Sequence, residues 1–267
     1  MLNAILRGKR WGICQSLLDG ENEGNFEGIE DTLTATVFER LLYLPDTEIA
    51  EILFSLWSDP CVPIGGIVSS EFWPRWDAIK QDGQRQREPD CSLEWPKRVL
   101  VIESKRYDYR NMQEPMQLAK EALAAHVRYP DKKIWLLAVG GLRDDQPLTI
   151  GTLRTQVVQF IEDLGYGPGD WLNFSAALWR SLFLRIHQQL HGGSPERDRL
   201  LRDIRAGLWL HGIATEPPGW LNDLVRLRDR LGHITDASIG HFDWHRDGLG
   251  DIGAFGHIHT APAFFWP

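Results

Sequence analysis

The stretch Val99-Leu100-Val101-Ile102-Glu103-Ser104-Lys105 decides the fold. Four consecutive apolar residues read as a strand buried on both faces, because a half-exposed strand would alternate. That strand runs directly into an acid, a hydroxyl and a base. Upstream, Glu88-Pro89-Asp90 opens a second strand that ends at Trp95, and Pro96-Lys97-Arg98 is a turn between the two. Paired as a hairpin, the strands bring Asp90 to the end where Glu103 and Lys105 emerge. Glu103 and Lys105 are two apart and therefore share one face.

Helical and strand patterns flank this hairpin. Upstream, residues 30–44 place Leu33, Val37, Leu41 and Leu44 at helical spacing, and Pro45 stops them. A second helix is expected from Thr47 to Trp57, and a strand within the aromatic stretch 64–77. Downstream, residues 112–128 read as a helix. Ile134 to Val139 form another buried strand, ended by Gly140-Gly141. No glycine pattern or lysine for cradling a phosphate follows that strand. Beyond Pro147 four helices are expected, at 149–164, 172–191, 195–211 and 219–231. The pair Ser194-Pro195 is a strong start signal for the third. The expected fold class is therefore α/β, a mixed sheet flanked by helices, with a helical C-terminal extension. The expected domains are 1–145 for the core and 146–267 for the extension with its His-rich tail.

Carboxylates at the end of a buried sheet are costly unless they are paired or hold a metal. Asp90 and Glu103 offer oxygen ligands suited to Mg²⁺, and Lys105 beside them can orient or deprotonate an attacking water. This is equipment for hydrolysing a phosphodiester. Each group also has a plainer role. Asp90 fits a turn after proline, Glu103 and Lys105 fit a surface ion pair, and Glu30 fits the first turn of a helix. A second DxK, Asp131-Lys132-Lys133, sits in a polar turn and is set aside.

The order Pro89-Asp90, then Glu103-Ser104-Lys105, resembles the PD-(D/E)xK nuclease superfamily, the restriction-endonuclease-like fold. The similarity covers about residues 28–140. It implies that Asp90 and Glu103 are metal ligands for Mg²⁺ or Mn²⁺ and that Lys105 positions the water. It implies a further acid on the first core helix, with Glu30 first, Glu39 second and Asp31 third. It also implies a role for Gln117, which matches the glutamine of RecB-like members. The serine between Glu103 and Lys105 departs from the usual hydrophobic or small residue. The resemblance extends to nucleases of bacterial anti-phage defence and mobile-element loci. The implied reaction is DNA cleavage to 5′-phosphate and 3′-hydroxyl ends, with RNA as a lesser alternative. A non-catalytic interaction subunit of a larger complex is the competing reading.

Composition bounds the rest. The chain has 267 residues, 43% hydrophobic and 25% charged, within the globular range. It has no apolar run long enough for a membrane span. Its first residues place charges after apolar residues, the reverse of a secretory signal. Three scattered cysteines give no disulfide framework. A cytoplasmic protein is expected. Arg106, Tyr107, Tyr109 and Arg110 are candidates for touching phosphates and bases. His126 is expected to be packed or exposed, and His257-Ile258-His259 is a weak zinc candidate. The net charge of -8 speaks against nucleic acid at first sight. Residues 80–133, however, hold twelve Lys/Arg against nine Asp/Glu, a surplus of +3 that leaves -11 for the rest. DNA remains an expected partner, with a protein partner supplying part of the affinity.

Overall fold

In the computed structural model, which describes residues 30–59, 62–79, 85–106, 112–167 and 171–215, the apolar run at 99–102 lies mid-sheet. The elements in chain order are α1 (Glu30–Leu41), α2 (Asp46–Phe54), β1 (Ser69–Phe72), β2 (Trp76–Asp77), β3 (Gln86–Arg87), β4 (Cys91–Trp95) and β5 (Arg98–Ser104). They continue with α3 (Pro115–Arg128), β6 (Lys133–Val139), α4 (Pro147–Asp163), β7 (Leu172–Ala177), α5 (Trp179–Leu190) and α6 (Pro195–Leu210). Five strands form one mixed sheet in the order β1-β4-β5-β6-β7. The β1–β4 and β4–β5 pairs are antiparallel, whereas the β5–β6 and β6–β7 pairs are parallel. β2 and β3 form a separate two-stranded ribbon.

Alternation along the central strands explains their unbroken apolar runs. Leu100, Ile102, Trp135 and Leu137 pack with α1, α2, α5 and α6. Val99, Val101, Ile134 and Leu136 pack with α3 and α4 on the other face. Both faces are covered, so the middle of the strand is apolar at both register positions. Trp73, Trp95, Trp135 and Trp179 serve this core. Trp95 and Trp135 both meet Phe54 edge-on, at centroid distances of 5.4 and 4.8 Å.

α1 is buried nearly all round, nine of its twelve residues included. Thr32, Thr34 and Thr36 are stiff at χ1 and poor helix formers, so packing rather than propensity holds this helix. α6 lies against it. Gly207 permits the approach, since a Cβ there would sit 2.0 Å from Thr36 Cγ2. Gly207→Ala is expected to lose about 1–3 kcal/mol through overpacking, despite alanine's better helix propensity. Chemical denaturation would check this; an unchanged or raised midpoint would refute the tight contact.

Two expectations need correction. Residues 172–191 are not one helix: 172–177 form β7, an edge strand of the sheet, and the helix starts at Trp179. β6 supplies the hydrogen-bonding partner that converts the segment, with Ala138 opposite Ala176. The segment beyond residue 145 therefore contributes a strand as well as helices. The stretch 64–77 holds two short strands, separated at Trp73, which adopts a positive φ of 48°. The start of α6 follows expectation, with Ser194 Oγ accepting from Arg197 N. The helix expected at 219–231, His257 and His259 lie outside the described residues.

Candidate active site

β5 carries the site at its C-terminal end. Pairing places Cys91 opposite Ile102 and Glu103 beside Ala138 of β6. Asp90, one residue before β4, thereby reaches across to Ser104. Its Oδ2 accepts from Ser104 N at 2.8 Å and from Ser104 Oγ at 2.6 Å. Ser104 Oγ also makes a short hydrogen bond with Thr34 of α1. Ser104 thus ties the aspartate to the first helix.

Glu103 and Lys105 do share a face. Lys105 Nζ donates to Glu103 Oε1 at 2.7 Å and lies 3.5 Å from Glu30 Oε1. Glu30 is fixed in turn, its Oε2 accepting from Arg106 N at 3.0 Å. Gln117, on α3, donates to Glu103 Oε1 at 2.6 Å. The structure therefore brings Asp90, Glu103, Lys105, Glu30 and Gln117 together. Of the three first-helix acids, Glu30 is the one set against Lys105. Glu39 lines a surface cavity with Arg40, Ser194 and Arg197 instead, and Asp31 stays in the first turn of α1.

Burial dominates the electrostatics. It pushes the Asp90 carboxyl well above the usual range, reinforced by Glu103 and opposed by the Ser104 hydrogen bonds. Burial also raises Glu103, as does repulsion by Glu121, while Lys105 pulls it back. Burial alone would lower Lys105, but Glu103 and then Glu30 and Asp90 outweigh it and hold the ammonium above its ordinary value.

Several participants escaped the sequence reading. Glu121, one turn beyond Gln117, is 1% exposed and is raised to about 7 by its burial, against the opposing hydrogen bond from Gln117 at 2.9 Å. The signal was available: positions 117 and 121 are four apart and share a helix face with Leu118 and Ala122. Trp179 Nε1 donates to the Lys105 carbonyl at 2.8 Å. Gln113 Nε2 donates to Gly140 O at 3.1 Å and to Val139 O at 3.3 Å, fixing the end of β6. Gly140, at φ 68°, lets these strand ends close on one another.

Other candidates fall elsewhere. Within the Asp131-Lys132-Lys133 turn, Lys132 binds Glu94 and the Trp95 carbonyl. His126 stacks on Trp171 with centroids 4.2 Å apart. Arg106 is half-buried, and Tyr107, Tyr109 and Arg110 lie outside the described residues. Among the described residues, no three His, Cys, Asp or Glu side chains converge into a ready-made metal cage, and no helix is long and apolar enough to cross a membrane.

The fold and site thus define an α/β protein with an acid–lysine cluster at the end of a buried mixed sheet. The chain belongs to a family with PM0110, an uncharacterized protein of Pasteurella multocida (strain Pm70). The two are 31% identical over 229 residues, covering 85% of this chain and 86% of that one. No family model matches the chain, and no solved structure does.

Proposed function

We propose that this chain is a metal-dependent nuclease that hydrolyses phosphodiester bonds in DNA, built on a restriction-endonuclease-like core. The observation that carries the reading is the contact of Lys105 Nζ with both Glu103 and Glu30 beside the buried Asp90. An incidental surface ion pair would not enclose so many acids at one strand end. The donor set suits a hard divalent cation, Mg²⁺ or Mn²⁺. All its donors are oxygens, and the carboxylates outnumber the single ammonium among them. Asp90, Glu103 and Glu30 would hold the ion. When bound, it supplies charge stabilisation to the phosphate.

The chain's own residues then divide the work. Lys105, kept as an ammonium by two carboxylates, positions the attacking water through Nζ rather than abstracting its proton. Gln117 orients Glu103. Ser104 holds Asp90 in place. The resemblance supports cleavage to 5′-phosphate and 3′-hydroxyl ends, a cytoplasmic location, and a role in anti-phage defence or DNA processing. The acidity outside residues 80–133 supports weak, salt-sensitive binding by the chain alone. A protein partner that adds DNA affinity fits that charge distribution.

The test is cleavage of linear, circular, single- and double-stranded DNA with Mg²⁺, with Mn²⁺ and with EDTA. Metal-dependent products that EDTA abolishes are expected. Activity that survives EDTA, or no activity on any substrate, would overturn the reading and favour an interaction subunit.

A further inference from the structure

Glu121 is a chemical anomaly in its helix. Its neighbours on that face of α3, Leu118, Ala122 and Ala125, are buried and apolar. A carboxylate enclosed among them costs several kcal/mol unless it is paired. Its hydrogen-bonding partner is the Gln117 amide, which reaches Glu121 Oε1 at 2.9 Å and Glu103 Oε1 at 2.6 Å from the same nitrogen. One donor thus holds two carboxylates side by side. The other oxygen, Glu121 Oε2, is buried and has no hydrogen-bond partner. A purely structural helix would place leucine or glutamine there at lower cost. A buried oxygen with no hydrogen bond, on an acid that feels both Asp90 and the Lys105 ammonium, is what a divalent cation would satisfy.

We infer that Glu121 is a further carboxylate ligand of the cation site, acting with Asp90 and Glu103. The inference rests on the metal-dependent reading above and gives a role to a residue to which the resemblance assigns none. Glu103 Oε1 is engaged by Lys105 and Gln117, so Glu121 Oε2 is an oxygen the cluster still has to offer.

The experiment is calorimetric titration of the full chain with Mn²⁺ alone, without DNA, for the wild type, Glu121→Gln, Glu121→Leu and Asp90→Asn. Both Glu121 variants keep the side-chain volume and remove the buried charge, so each is expected to fold, with circular dichroism as the check. Mn²⁺ affinity is expected to fall at least about tenfold in both, a drop that corresponds to about 1.4 kcal/mol. Either folded variant binding Mn²⁺ as tightly as the wild type would overturn the assignment. If Asp90→Asn loses binding while the Glu121 variants keep it, the metal site stands and the inference alone fails. If the wild type binds no Mn²⁺, the metal-dependent reading fails and takes the inference with it.

Discussion

In the proposed nuclease, Lys105→Met is expected to cut DNA cleavage by about 10²- to 10³-fold while the fold survives. That range is what removing one preorganised hydrogen-bond donor typically costs. Methionine keeps the unbranched stem and removes only the ammonium. The consequences spread through the cluster. Glu103 loses its ion-pair partner at 2.7 Å, and Glu30 loses the charge it faces at 3.5 Å. Both carboxylates, with Asp90, then repel one another without compensation, so some stability is lost at neutral pH as well. Circular dichroism and a single-turnover cleavage assay separate the two effects. Wild-type turnover by a folded Lys105→Met protein would remove the lysine from the mechanism.

Gly140→Ala is expected to destabilise the protein by about 3 kcal/mol or more, a size that calls for a definite structural cause. Two costs combine. The residue sits at φ 68°, where a side chain costs roughly 1–2 kcal/mol. The added Cβ would also lie 2.1 Å from the Lys105 carbonyl oxygen and 2.6 Å from Trp179 Nε1. A backbone oxygen cannot step aside as a flexible side chain can. The clash therefore strikes the hydrogen bond from Trp179 that fixes the Lys105 main chain. Activity should fall with stability, even though position 140 carries no chemistry. A denaturation midpoint close to that of the wild type would show that the strand ends leave room for the added Cβ.

The sheet's centre was legible because burial on both faces leaves an unmistakable mark at Val99 to Ile102 and at Ile134 to Val139. β7 was not. Leu172, Ala176, Trp179 and Phe183 recur at intervals of four, three and four, which suits a helix. Only the neighbouring β6 converts 172–177 to a strand, and a partner distant in sequence leaves no local trace. At the site, Asp90, Glu103 and Lys105 could be found because short motifs on paired strands are local. Glu30 could be narrowed only to a group of three acids, since the packing of α1 on the sheet selects among them. Glu121 shares a helix face with Gln117 in the sequence, but only its burial in the fold singles it out.

The hairpin has a consequence for how the gene can vary. Two residues, Pro96 and Lys97, separate Trp95 from Arg98, and their number alone aligns Asp90 with Ser104. Adding or deleting one codon between 91 and 103 would slip the ladder and turn alternate side chains to the wrong face. Such a change is silent in composition and touches no acid or lysine of the cluster, yet it would act as a lesion of the proposed active site. The spacing itself is a heritable part of the site, as much as the residues that it brings together.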